Sequence, residues 1–355
     1  MKTTNLLAIL LLMPVIAIAQ EAPWISYPSA NNQSYGVYHF RKSLELDQVP
    51  EKLVVHLSAD NRYHFYVNGE RVCYGPAKGD LQTYKYDIID ISAYLNPGKN
   101  QLAALVYNAG KDMPMSMFSI QTAFMLRSED SIYQEINTSS SWKVLKNKAY
   151  SPVSYYEMLF KDRWFYGYYA CGPGDRVQAD QYPWGWEQPD YDDSQWVDSE
   201  QLEFEANPPW KLFARNIPFM ANHREAPRSV RLVEGIDMVS GPVEKITIPP
   251  NTSARILYDY EMLTMGYPEL KVNLGKASAI KIKYAEALYE KVHLKAHRDS
   301  VNNLNMFGVW DVFYPDGMER TFRPLWKRAF RYVQLVIETK DQPLEIISLA
   351  SEYSG

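Results

Sequence analysis

The sequence predicts an all-β protein made of two β-sandwiches in tandem. Three observations carry that reading. Short apolar or alternating runs recur between turn signals at strand spacing, without amphipathic helical stretches between them. Aromatic residues are 14% of the chain, with 27 Tyr and 9 Trp in 355 residues, which suits sheet surfaces and sugar-stacking platforms alike. A connecting segment at 206–229, opening at Asn207-Pro208-Pro209 and holding four prolines, separates two such sets of strands and reads as an ordered linker.

Ahead of the first set, residues 1–19 have the form of a secretory signal. Lys2 supplies the charged start, 6–16 the apolar run, and Ala17-Ile18-Ala19 the small-residue cleavage site before Gln20. That run is short for a bilayer span, no Cys marks a lipid anchor, and no later segment is apolar enough to cross a membrane. The expected location is periplasmic or extracellular. At 46% apolar and 22% charged the chain is globular in composition. A formal net charge of −5 without a basic stripe argues against nucleic acid and anionic membranes as partners. Two cysteines, Cys73 and Cys171, rule out a disulfide framework and permit one bridge at most.

The first unit is expected over 20–205. Strand candidates run at 35–46, 52–57, 83–91, 101–107 and 119–126, separated by turn-rich stretches such as 75–79 and 94–100. Its clearest element is a hairpin. Tyr63, Phe65 and Val67 alternate with His64 and Tyr66, and Asn68-Gly69 accepts the positive φ of a type I′ turn, so 70–74 returns as a second strand. Asp60 and Asn61 stand just before the hairpin, at a sheet rim, where oxygen-rich side chains suit a hard cation or a sugar hydroxyl; they are equally turn formers. The Trp-rich run 184–196 is expected to wrap across one face, with Trp196 as a plug. Within it Asp192 and Asp193 read as a turn, since adjacent carboxylates diverge in direction.

The second unit is expected over 230–355, with strands at 255–260, 269–274, 279–284 and 330–337. The stretch 285–298 is rich in Ala, Glu, Leu and Lys and reads as a helix on propensity. His293 and His297 on it have the i, i+4 spacing of metal ligands, but no Glu follows His293 as a metalloprotease requires, and they read as solvated histidines. The chain contains no nucleophile elbow, phosphate loop or dinucleotide fingerprint.

Taken in order, these residues carry a family resemblance. Ala59-Asp60-Asn61-Arg62-Tyr63, Val67-Asn68-Gly69, the turn at 94–100, Ser141-Trp142-Lys143 and Asp192-Asp193-Ser194-Gln195-Trp196 resemble the sugar-binding β-sandwich of large bacterial glycosidases. Leu257-Tyr258-Asp259-Tyr260, Tyr284-Ala285-Glu286-Ala287-Leu288-Tyr289, Phe322-Arg323-Pro324 and Phe330-Arg331-Tyr332-Val333 narrow it to bacterial α-L-rhamnosidases, with Ala329 where that family usually has Gly. The resemblance covers nearly all of 30–350. It implies jelly-roll, galactose-binding-like sandwiches and a rhamnose-bearing glycan or glycoside as partner. It also implies inverting catalysis in a helical barrel that would begin after Gly355. Inversion needs two carboxylates about 6.5–9.5 Å apart. Cys171-Gly172-Pro173-Gly174-Asp175-Arg176 imitates the family's acid motif but lacks the leading Asp, so no catalytic residue is assigned and the chain itself is expected to be inactive. Some relatives bind rhamnose through calcium. By that resemblance the metal ligands here would be Asp60, Asn61 and Asn108, with the sugar site completed near Pro114. The alternative is that Asp60 and Asn61 cap the hairpin and Asn108 starts a turn. A free-standing carbohydrate-binding protein and the front end of a β-galactosidase-like family-two glycosidase are the competing readings of the whole.

Overall fold

The computed structural model describes residues 22–28, 33–162, 170–205, 207–237 and 245–355, so the leader expected at 1–19 lies outside the described residues. The all-β expectation is borne out: about 50% of the chain is strand and 6% helix.

Two six-stranded sheets form the first sandwich. One runs Glu200–Gln201, Ile25–Ser26, Ala123–Ser128, Val54–Asp60, Tyr84–Asp90, Leu212–Ala214. The other runs Val197–Asp198, Lys143–Lys146, Gly36–Leu46, Gly98–Asn108, Arg62–Val67, Glu70–Gly75. Alternating side chains from both inner faces, among them Phe40, Leu57, Phe65, Leu102, Phe124 and Trp142, close one core. The hairpin turns as its sequence requires, with Asn68 at φ 51° and Gly69 at φ 83°. Asn68 also fastens the next turn. Its Nδ2 donates to Tyr94 O at 2.9 Å and to Asn100 Oδ1 at 2.8 Å, and its Oδ1 accepts from Gln101 N at 2.8 Å. The Trp-rich run lies on the outer face of the second sheet, packing Trp186 and Trp196 on Val37, Ala103 and Leu105.

The second sandwich is a single eleven-stranded sheet folded over on itself. Its spine is Ser253–Leu274, 22 residues long. The first half pairs with Ser229–Glu234 and Arg328–Glu338, the second with Leu344–Ser354 and Gly317–Phe322. The register breaks between Asp259 and Thr264, where the spine bends. Ile256, Tyr258 and Phe330 from one half then meet Leu270, Val272 and Leu349 from the other in a common core. The stretches 255–260 and 269–274 are thus two arms of one strand. Ala279–Ala285, which follows through a turn at Gly275, pairs with Arg328–Glu338 and Trp310–Tyr314 rather than with the strand before it.

The helix expected over 285–298 is absent. Tyr289–Lys291 and Leu294–Lys295 form a small antiparallel pair, turning at His293 with φ 65°. Only the start of this segment is apolar and buried, at Ala285, Ala287 and Leu288, so helical winding would bury no continuous stripe and propensity alone does not decide. Within the span 20–205, Tyr150–Val153 and Gly174–Gln178 join the sheet of the second unit, the latter running parallel to Trp310–Tyr314. A Cβ on Gly174 would lie 2.0 Å from Trp310 O, so this seam needs a glycine. The linker is stitched to both units: Leu212–Ala214 pairs with Tyr84–Asp90, and Asn222–Glu225 with Leu344–Ser354. The described residues contain no helix long and apolar enough to cross a membrane.

Candidate functional site

Asp60 and Asn61 sit where the chain leaves one sheet for the other. Asp60 ends the strand paired with Ala123–Ser128, and Arg62 begins the strand paired with Gly98–Asn108. The register Arg62↔Tyr107 puts Asn61 and Asn108 at the same rim. All three polar residues then converge on the loop 118–122. Asp60 Oδ2 accepts from Ile120 N at 2.7 Å and Gln121 N at 3.3 Å. Asn61 Nδ2 donates to Phe118 O at 2.8 Å. Asn108 Nδ2 donates to Ser119 Oγ at 2.8 Å and Thr122 Oγ1 at 3.1 Å, while its Oδ1 accepts from Gly110 N at 2.9 Å. Pro114 and Asn61 line one narrow cavity with Tyr107, Asp175 and Trp326.

The rim is buried rather than open, with Asp60 and Asn108 at 0% exposure and Asn61 at 4%. Burial raises the Asp60 carboxyl above its ordinary range, and hydrogen bonds from Ser119, Ile120, Gln121 and Trp210 pull the other way. Trp210, a linker residue, donates to Asp60 Oδ2 at 3.1 Å and stacks on Trp24 at 4.3 Å. Nothing in the sequence pattern linked it to Asp60. The second oxygen, Asp60 Oδ1, is buried without a hydrogen-bond partner. A bare carboxylate oxygen beside two Asn side chains is what a hard cation satisfies, so the donor chemistry fits such an ion.

The acid-motif mimic at 171–176 is tied into the seam between the sandwiches. Asp175 Oδ2 accepts from Leu325 N at 2.7 Å, and Asp175 N donates to Asp311 Oδ1 at 2.7 Å. Arg328 binds Asp311 with Nη2 at 2.5 Å and Nε at 3.2 Å, lies 3.8 Å from Asp175, and donates to Pro173 O at 3.2 Å. Burial, then the Asp311 charge, raises the Asp175 carboxyl to about 7, against the pull of Arg328. These carboxylates hold the seam between the sandwiches.

Asp192 and Asp193 form the expected turn, Oδ1 of the first accepting from Ser194 N at 3.0 Å and the carbonyl of the second from Trp196 N at 2.9 Å. Trp186 and Trp196 are buried at 2% and 6% exposure, so they offer no sugar platform. His297 is exposed and lies 3.8 Å from Asp299, and among the described residues no group of three His, Cys, Asp or Glu side chains is placed to hold a metal. Both cysteines are free thiols.

No protein-family model matches the chain, and no curated protein does. Solved structures do. A GH78 family rhamnosidase of Bacillus sp. GL1 superposes with a TM-score of 0.75 at 12% identity, over 94% of this chain and 55% of its own. The α-L-rhamnosidase from Dictyoglumus thermophilum follows with a TM-score of 0.59 at 18% identity, over 92% of this chain and 35% of its own. That of Streptomyces avermitilis, solved with L-rhamnose, has a TM-score of 0.58 at 16% identity, over 86% and 28%. The chain therefore shares the fold of these proteins and spans about half the length of the first and roughly a third of the others.

Proposed function

We propose that the chain is the non-catalytic front portion of an exported α-L-rhamnosidase-like glycoside hydrolase, working beside a helical catalytic barrel on rhamnose-bearing glycans or glycosides. The observation that carries this reading is the superposition of both sandwiches, over 94% of the chain, on a rhamnosidase. The burial of Asp175 and Asp311 in ion pairs supports a supporting role rather than a chemical one. Incubated at high concentration with an aryl α-L-rhamnoside, the 355-residue chain is expected to release no aglycone above background. Turnover that disappears in Asp175→Asn would overturn this.

Calcium-dependent rhamnose binding at the Asp60 rim is part of the same reading, and the orphaned Asp60 Oδ1 is what supports it. Asp60 Oδ1 and the amide oxygens of Asn61 and Asn108 would hold the ion, and sugar hydroxyls and backbone carbonyls near Pro114 would complete a shell of about 6–8 oxygens. The ion supplies charge that orients vicinal hydroxyls; the chain supplies the loop 118–122 that fixes its ligands. With one carboxylate, affinity is expected to be in the range of extracellular modules, about 10⁻⁴–10⁻³ M. Calorimetry should show rhamnose binding that a chelator abolishes and that Asp60→Asn removes while leaving the thermal midpoint near wild type. Rhamnose binding that survives both would place the sugar elsewhere.

A further inference from the structure

Between the two sandwiches lies a cavity of about 130 Å³ whose polar lining consists largely of donors. Arg62 and Lys78 enter from the first sandwich, Arg215 from the linker, and Lys327 and Tyr267 from the second. Of the four cations only Arg215 has a carboxylate, Asp87, at 3.1 Å; Asp87 is fully buried and also takes the Tyr63 hydroxyl. Among the described residues Arg62, Lys78 and Lys327 form no ion pair. Arg62 instead donates to Pro76 O and lies over the Trp326 ring at 4.7 Å. Asp and Glu outnumber Lys and Arg 42 to 37 in the chain, and most other half-buried or buried arginines, among them Arg41, Arg71, Arg176, Arg323, Arg328 and Arg331, meet acids, Arg127 beside His56 being an exception.

Holding these cations together costs energy unless an anion joins them. Burial lowers the Lys327 ammonium below its ordinary range, and the nearby Arg62 charge lowers it further. Tyr267 points the same way. Its hydroxyl is pushed up to about 12, so it keeps its proton and stands as a further donor. A wall of donors and cations selects a ligand with several acceptor oxygens and negative charge.

We propose that this inter-sandwich cavity binds the carboxylate of a uronic acid-type saccharide, with Arg62, Lys78 and Lys327 as the charge partners and Tyr267 as a neutral donor. The saccharide part rests on the carbohydrate reading above; the anion part rests on the cavity alone. The volume is near the roughly 150 Å³ that accepts a benzene ring, so an acid group and part of a ring fit, and the Tyr267 and Trp326 rings supply apolar wall.

The test is calorimetry on the whole chain at low salt with galacturonate, glucose and inorganic sulfate. Galacturonate is expected to bind while glucose does not, and affinity is expected to fall about tenfold in Lys327→Gln and again in Lys78→Gln, as for loss of a charged hydrogen bond. Lys78 is exposed, so its replacement leaves folding intact, as a thermal melt would show. Binding should persist with a chelator and in Asp60→Asn, so loss of the calcium site and loss of this one are separable. Glucose binding as tightly as galacturonate, or galacturonate affinity unchanged in both lysine variants, would overturn the site. Sulfate binding as tightly as galacturonate would overturn its assignment to a saccharide.

Discussion

Replacing Arg328 by Met is expected to destabilise the protein by about 3–5 kcal/mol, the cost of stranding a buried charge after its partner is removed. Arg328 is 2% exposed, and its guanidinium is the counter-charge for Asp311, which is wholly buried. Without it Asp311 keeps the backbone N–H of Asp175 but has no counter-charge, and Pro173 O loses its donor. Urea unfolding would read the loss as a lower midpoint with little change in slope. Asp175→Asn should behave in the opposite sense. The folded-state carboxyl lies at about 7 against an ordinary 3.8, so between those values the native protein holds a proton that the unfolded chain has released. Stability therefore falls as pH rises through that window, and the penalty is complete above it. The Asn variant removes the ionisation, so its stability should fall less steeply between pH 4 and pH 8 and exceed wild type at the upper end. An Arg328→Met protein with an unchanged midpoint, or an Asn variant with the wild-type pH slope, would mean that the seam is wetter than its burial implies.

Much of the first sandwich was legible because its signals are local. Asn68-Gly69 demands one turn type, as found, and the alternation of Tyr63, Phe65 and Val67 puts all three in the core; the opposite face is covered as well, with His64 buried and Tyr66 half-buried against Trp186 and Leu325, which a half-buried strand does not announce. The rim was legible in part: Asp60, Asn61 and Asn108 do come together, because Arg62–Val67 pairs with Gly98–Asn108 in the register Arg62↔Tyr107, held at its far end by the Asn68 contacts with Gln101. Their partners were not legible. Trp210 reaches Asp60 across 150 positions of sequence, and the loop 118–122 carries no motif that announces an Asx-bound corner. The second sandwich was read as separate strands because a 22-residue strand that bends at Asp259 has the same alternation as two short ones. The helix expected over 285–298 failed for the opposite reason: propensity without a stripe to bury is a weak force. The seam was beyond reach of pattern, since Gly174–Gln178 pairs in parallel with residues more than a hundred positions away.

Arg41→Met is expected to cost about 3–5 kcal/mol and to loosen the Trp-rich run in particular. Arg41 stands on the central strand Gly36–Leu46 at 2% exposure, under the run 184–196. Its Nε donates to Asp193 Oδ2 at 2.7 Å, Nη1 donates to Trp186 O and, at 3.1 Å, to Gln188 O, and Nη2 donates to Tyr191 O at 3.3 Å and Gln101 Oε1 at 2.9 Å. The guanidinium also lies 5.2 Å from the Tyr191 ring and 5.8 Å from that of Trp196. One side chain thus satisfies the carbonyls of an irregular segment that has no strand partner to do so, and the planar fork is what lets it reach them all. Met fills much of the volume but donates nothing, leaving the carbonyls of Trp186 and Tyr191 without a donor beneath the lap, while Gln101 Oε1 keeps only Ser43 Oγ, at 3.1 Å, and Gln188 O only Tyr191 N, at 3.4 Å. The contrast is Asp193→Asn, expected to cost under about 1 kcal/mol, since that partner is open to solvent on one side and its amide oxygen still accepts from Nε. Tryptophan emission gives the local readout: Trp186 and Trp196 should shift to the red in Arg41→Met under conditions where far-UV circular dichroism is unchanged, because the lap opens before the sheets do. If Asp193→Asn proved as costly as Arg41→Met, the ion pair with Asp193 rather than the carbonyl cluster would be what pins the run.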